Sequence, residues 1–151
     1  MRATSIYRID LPTKKYSGKP AAIDVLPSSP MRMRTHVERF AKYFLREMHT
    51  GGLQFEAAEQ SNSYGYRQYH GFLFSAEDRY VGAACFRHRP EQDTIKPWVF
   101  DWVWIHPYFR RQGHLCSLWP RLEPQFGSFR LSTPIFPAMK EFLFKHGHKA
   151  P

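Results

Sequence analysis

The stretch that most constrains the fold runs from Trp98 to Leu122. Trp98-Val99-Phe100-Asp101-Trp102-Val103-Trp104-Ile105 is dominated by aromatic and β-branched residues and reads as a central strand. It stops at His106-Pro107. A short basic turn with Arg110 and Arg111 follows, and Gly113 precedes a new apolar run with Leu115, Leu118, Trp119 and Leu122. That order is strand, turn, helix. A helix N-terminus leaves backbone N–H groups unpaired with the positive end of the dipole behind them, which is a place where phosphate binds. The plainer reading is an ordinary connection whose arginines are solvated.

Upstream, Thr35 and Glu38 have the spacing of a capping box, and Val37, Phe40, Ala41, Phe44, Leu45 and Met48 recur at helical spacing. The pattern predicts an amphipathic helix closed by Gly51-Gly52. From Tyr66 the period becomes two. One strand runs through Phe74, a turn lies at Ala76-Glu77-Asp78, and a second strand spans Tyr80 to Phe86, together a β-hairpin. Gly82, Ala83 and Ala84 leave room for another element to approach closely. Pro90 to Lys96 is a polar loop. After Gly113 the predicted helix has Pro120 inside it, so its first segment is expected to end near Trp119. Phe129 to Ser132 reads as a short strand. Pro137 starts a last helix with Met139, Phe142, Leu143 and His146 on one face, ended by Gly147.

Residues 1–34 are rich in Pro, Ser and Lys and read as an irregular basic segment, with Ala21 to Leu26 as a candidate short strand. The 151 residues are expected to form a single domain, large enough for a core without disulfides or metal. Aromatic residues make up 17% of the chain, which excludes a disordered chain. Cys85 and Cys116 lie in apolar contexts with no CxxC spacing, so both are expected to be buried, reduced thiols. Neither a signal-peptide run nor a membrane-spanning run is visible, so a cytoplasmic location is expected. The net charge of +9 is uneven: residues 1–50 hold ten Lys/Arg against four acids, residues 51–100 five against six, and residues 101–151 seven against three. Basic ends suit a polyanionic ligand or partner, although many basic proteins bind none.

The segment Asp101 to Leu115, with its apolar strand, His106-Pro107, an aromatic and Arg110-x-x-Gly113-x-Leu115, resembles the acetyl-CoA-binding motif of the GNAT superfamily of N-acetyltransferases. The family pattern is Arg/Gln-x-x-Gly-x-Gly/Ala; two positions match, and Leu115 stands where a small residue is usual. Val81-Gly82 and the helix ending at Gly147 resemble further family features, so the likeness covers roughly residues 35–148. It implies an α/β (α+β) fold with a GNAT-like mixed, mostly antiparallel central sheet flanked by helices, here lacking the usual final strand pair. It also implies acetyl-CoA as cosubstrate. Arg110 opens the cofactor-binding turn, and backbone N–H groups from about Arg111 through Gln112, Gly113 and His114 to Leu115 would cradle the pyrophosphate, with Gly113 allowing close approach. The backbone of Val103, Trp104 and Ile105 would pair with the pantetheine arm.

Transfer to an amine needs a neutral nucleophile and a proton source for the thiolate. Asp101 is the acid within the motif strand, and burial among aromatics would raise its pKa toward that of a base working near neutrality. A hydrogen-bonded structural Asp is the alternative. The family's usual Tyr acid falls at Leu143, so water, Tyr108, Ser132 or Thr133 is left as proton donor, or the reaction uses no dedicated acid. His106 is expected to shape the turn. His146 and His148 lie on different helical faces, which argues against a metal site. Cys116 reads as core before nucleophile, Glu77 and Asp78 as turn residues, and Trp102 and Trp104 as one sheet face packed on a helix. Ser61 to Arg67 is the candidate acceptor-side wall.

Two functions follow. One is an acetyl-CoA-dependent N-acetyltransferase acting on an unidentified amine, with an acidic protein or a nucleic-acid-associated acceptor suited to the basic N-terminal third. The other is a non-catalytic basic module of the same fold, binding nucleic acid or a protein partner.

Overall fold

The computed structural model describes residues 9–13, 22–49, 69–133 and 135–145. Strand β1 (Ala22–Val25) leads to helix α1 (Met31–Met48), the hairpin β2 (Tyr69–Ala76) and β3 (Arg79–His88), and strand β4 (Trp98–Ile105). A single 3-10 turn at Pro107–Phe109, helix α2 (His114–Phe126), strand β5 (Arg130–Leu131) and helix α3 (Pro137–Lys145) complete the described chain. The sheet order is β1-β2-β3-β4-β5; the first three pairings are antiparallel and β4-β5 is parallel.

Both sheet faces are covered, which is why β2 and β3 are apolar nearly throughout rather than alternating. On one face α1 sets Val37, Phe40, Ala41 and Phe44 against Leu73, Ala83, Cys85, Trp102 and Trp104. On the other, α2 sets Leu118, Leu122 and Phe126 against Phe72, Phe86 and Phe100. Each such fully buried side chain contributes about 1.5–3 kcal/mol over its exposed state. Segment 135–145 closes the β4 side: Phe136 packs on the α1 cluster and Met139 on the α2 cluster.

Several boundaries differ from the sequence reading. Helix α1 begins at Met31 with Pro30 at its N-cap, so Thr35 is not a cap; its hydroxyl instead donates to the Met31 carbonyl at 2.8 Å. The helix ends where His49 turns left-handed at φ +53°, and Gly51-Gly52 lie outside the described residues. Helix α2 does not stop near Trp119 but continues through Pro120 and Pro124 to Phe126. Both prolines are exposed, while Leu118, Leu122 and Phe126 stack at four-residue spacing on the core, and that burial offsets the backbone bonds the prolines forfeit. Tyr66 to Gln68, His146, Gly147 and His148 fall outside the described residues; among those described, no strand follows α3.

Candidate functional site

The site is set by two irregularities of β4. First, Cys85 pairs with Trp102 and Phe86 with Phe100, so Asp101 is an extra residue in β4, a bulge of the kind that re-aims side chains. It flips the facing of the strand. Phe100 packs toward α2, as do Val103 and Ile105, whereas Trp102 and Trp104 pack toward α1. Second, β5 accompanies β4 only briefly: Val99 pairs with Arg130 and Phe100 with Leu131, and Ser132 N donates to Phe100 O at 2.9 Å before the chain turns away. Because His106 N bonds back to Val81 O, the alternation of an antiparallel ladder turns the peptide groups of Val103 and Ile105 toward the side β5 has vacated.

A cavity of about 620 Å³ opens at this parting, within the usual range for small-molecule and cofactor sites. Its walls include Phe44, Glu47 and Met48 of α1, Asp101 to Ile105, the turn at Arg110, Arg111 and Gly113, the start of α2, Ser132, and Phe136 and Phe142 near or on α3. Trp102, also on the wall, buries an indole N–H that finds no hydrogen-bond partner among the described residues.

Asp101 is held from two sides. Ser132 Oγ donates to its Oδ1 at 3.1 Å, and Arg87 Nε lies 3.6 Å from Oδ2, with the Asp101 side chain 14% exposed. Burial raises its carboxyl above the ordinary Asp value; Arg87, the Ser132 bond and Arg89 pull it back without cancelling that rise.

Beyond β4, Nδ1 of His106 accepts from Tyr108 N at 3.1 Å, so this histidine shapes the turn. Arg111 and Gly113 both have left-handed backbones, at φ +62° and +86°. Gly113 caps α2 with no side-chain cap, and the first bond within the helix is Ser117 N to Gly113 O. The amides of His114 and Leu115 therefore have no carbonyl within the helix to donate to. A Cβ built on Gly113 would meet nothing within 4 Å, so the glycine serves the backbone angle and leaves open space before the helix end. Leu115 packs partly on the α2-side core and lines the cavity. His114 lines it too, its imidazole pushed below the usual range by burial.

Arg110, the first residue of the motif, directs its side chain inward. Its Nε donates to Ile105 O at 2.6 Å and its Nη2 to Glu47 Oε1 at 2.6 Å. Glu47 was missed in the sequence, and no local signal marks it, since its partners Trp104 and Arg110 lie 57 and 63 residues away. Arg111 is 88% exposed and lies 4.0 Å from Glu141 of α3. The Gln112 side chain donates to Tyr108 O at 3.0 Å.

Of the hydroxyls considered as proton donors, Ser132 lines the cavity beside Asp101; Thr133 is exposed, and Tyr108 is 74% exposed and not on the wall. Leu143, at the position where the resemblance would put a tyrosine acid, is buried. Cys85 is buried as expected. Cys116 is not: it is exposed in the first turn of α2, at the cavity wall. Trp102 packs on Phe44 and Trp104 on Phe40 and Tyr43, as a sheet face under a helix should. Glu77 and Asp78 form the hairpin turn. Ser61 to Arg67, with Tyr64 and Tyr66, lies outside the described residues.

No protein-family model and no curated protein matches the chain. Among solved structures it is similar to a ribosomal-protein-alanine N-acetyltransferase from Brucella melitensis biovar Abortus 2308, with 18% identity, a TM-score of 0.57, and coverage of 87% of this chain and 93% of that one. At that identity the likeness establishes the architecture: a GNAT-like mixed α/β fold with a mostly antiparallel sheet and helices on both faces.

Proposed function

We propose that this chain is an acetyl-CoA-dependent N-acetyltransferase acting on an amine. One observation carries the reading: the open edge of β4 at Val103 and Ile105 leads, along a single cavity, to a helix N-terminus whose leading amides have no carbonyl within the helix. Extended amides can add to such an edge, and a pyrophosphate can sit at such a helix end. The space before Gly113 and the size of the cavity fit this ligand.

In this reading Val103 and Ile105 hold the pantetheine amides through their backbone, and the turn from Arg111 through Leu115 holds the phosphates. Bound there, acetyl-CoA supplies an activated acetyl thioester. Asp101, at the bulge beside the parting, accepts the proton that the amine gives up as its nitrogen bonds to the acyl carbon. Burial makes it a stronger base than an ordinary Asp. In this reading Ser132, whose hydroxyl donates to Asp101, gives its proton to the leaving sulfur and takes up the proton that Asp101 has accepted.

The acceptor is an amine that reaches the cavity beside Asp101, which lines it. The basic N-terminal third suits an acidic protein or a nucleic-acid-associated acceptor, and the neighbour's printed name adds protein amines to the classes worth testing. The test is thiol release from acetyl-CoA over polyamines, aminoglycosides, peptides (including one beginning with alanine) and aminoacyl-tRNA. Release with one class, lost in Asp101→Asn, supports the reading. Absence of acetyl-CoA binding together with steeply salt-dependent nucleic-acid binding would replace it with the basic-module reading.

A further inference from the structure

Glu47 joins three elements through one carboxylate oxygen. Its Oε1 accepts from Trp104 Nε1 on β4 at 3.0 Å and from Arg110 Nη2 in the turn at 2.6 Å. Arg110 in turn donates from Nε to Ile105 O at 2.6 Å and lies over the Trp104 ring, its Cζ 5.7 Å from the ring centre. The last turn of α1, the end of β4 and the segment leading to Gly113 are thus closed into one circuit. Burial raises the Glu47 carboxyl, but the hydrogen bond and charge of Arg110 and the bond from Trp104 outweigh it and hold it below its ordinary range.

The circuit has two effects on the cavity. It takes the Ile105 carbonyl off the open edge of β4, so a ligand lying along that edge meets the Val103 N–H and C=O and the Ile105 N–H, but not Ile105 O. It also fixes the angle at which the turn leaves the strand, just ahead of the left-handed backbones of Arg111 and Gly113. Charge-assisted bonds at 2.6 Å are among the stronger fastenings a half-exposed site can have.

We propose that Glu47 is a positioning residue for acetyl-CoA: acting through Arg110, it sets the turn that binds the phosphates and ties cofactor binding to the C-terminal end of α1. The proposal rests on the cofactor reading above. Phe44, Glu47 and Met48 all line the cavity, so the same contact links the phosphate end to the α1 wall.

A double-mutant cycle on the full chain tests it, with acetyl-CoA affinity measured calorimetrically for the native protein, Glu47→Gln, Arg110→Gln and the double variant. Each single change is expected to weaken binding about tenfold, with the double no weaker than the poorer single, because both break one circuit. Glu47→Gln is also expected to raise KM for acetyl-CoA more than it lowers kcat, which a general loss of folded protein would not do. If a variant fails to fold, hydrogen exchange on the native protein reads the same link: acetyl-CoA should slow exchange at Leu45 to Met48, and unchanged exchange there overturns the proposal. Additive losses, or unchanged affinity in Glu47→Gln, overturn the positioning role alone. Failure of the native protein to bind acetyl-CoA overturns the cofactor reading, and the positioning role falls with it.

Discussion

Ser132 Oγ donates to Asp101 Oδ1 at 3.1 Å at the point where β5 leaves β4, and the same serine's N–H makes a backbone bond between the two strands. The bulge that frees Asp101 from pairing and the early departure of β5 therefore meet at one carboxylate. From the opposite side Arg87 Nε stands 3.6 Å from its other oxygen.

This arrangement predicts how activity responds to pH. As the proposed base, Asp101 must be ionised to accept a proton, and its pKa is raised chiefly by burial, so activity should fall as pH drops through a value above the ordinary Asp range. Arg87 opposes that rise. Arg87→Gln should therefore move the acid limb of the kcat/KM profile to higher pH, and Asp101→Asn should lower kcat about 10²–10⁴-fold without loss of the fold. Thiol release against pH, with circular dichroism as the folding control, checks both.

Gly113 separates backbone strain from ligand exclusion. Its φ of +86° costs an L-residue about 1–2 kcal/mol, and a Cβ meets no protein atom, so Gly113→Ala and Gly113→Glu should lose similar stability. They should differ in binding: Gly113→Glu is expected to abolish acetyl-CoA affinity by placing a carboxylate in the proposed phosphate site. Thermal melts and calorimetric titration of both variants provide the comparison.

Gly82 makes the opposite case. A Cβ there would run into the Trp104 carbonyl oxygen and stand 2.8 Å from Ile105 Cα, both backbone atoms with nowhere to move. Gly82→Ala should cost about 3 kcal/mol in denaturant unfolding and displace the end of β4 that forms the candidate cofactor edge.

These cases show which parts of the molecule local sequence could specify. Strand β4 was legible to the residue, because aromatic and β-branched side chains fill Trp98 to Ile105 and a His-Pro ends it. The hairpin and the helix after Gly113 were legible for the same kind of local reason. The start of α1 was not, since Thr35 and Glu38 imitate a cap while Pro30 caps the helix. Nor was the length of α2, where tertiary burial of Leu122 and Phe126 overrides Pro120. Within the site, Asp101 and the turn stood out by composition. The bulge did not, because apolar residues on both sides of Asp101 hide the change of facing. Glu47 and the inward turn of Arg110 depend on contacts between distant segments, which no local pattern encodes.

Asp24 supports α2 from the edge strand β1. Its Oδ1 accepts from Arg121 at 2.7 Å, and its Oδ2 lies 2.7 Å from His70 Nε2 and 3.0 Å from Gln125 Nε2. Burial raises its pKa, but the bonds from Gln125, His70 and Arg121 outweigh it, leaving the folded value below 3.8. The stability this gives is therefore full above about pH 3.8 and lost as pH falls through the lower folded value. Asp24→Asn should cost about 1–2 kcal/mol at neutral pH, since the group is partly exposed and screened. The gap between native and variant should close in strong acid, as followed by urea unfolding at several pH values.

In the proposed binding mode acetyl-CoA lies along the open edge of β4 with its phosphates at the start of α2. Titrating acetyl-CoA into isotope-labelled protein and following backbone amide resonances by NMR tests it most directly. Saturable shifts concentrated at Val103, Ile105 and Gly113 to Cys116 are expected. No shifts at millimolar ligand, or saturable shifts confined to other amides, would contradict it.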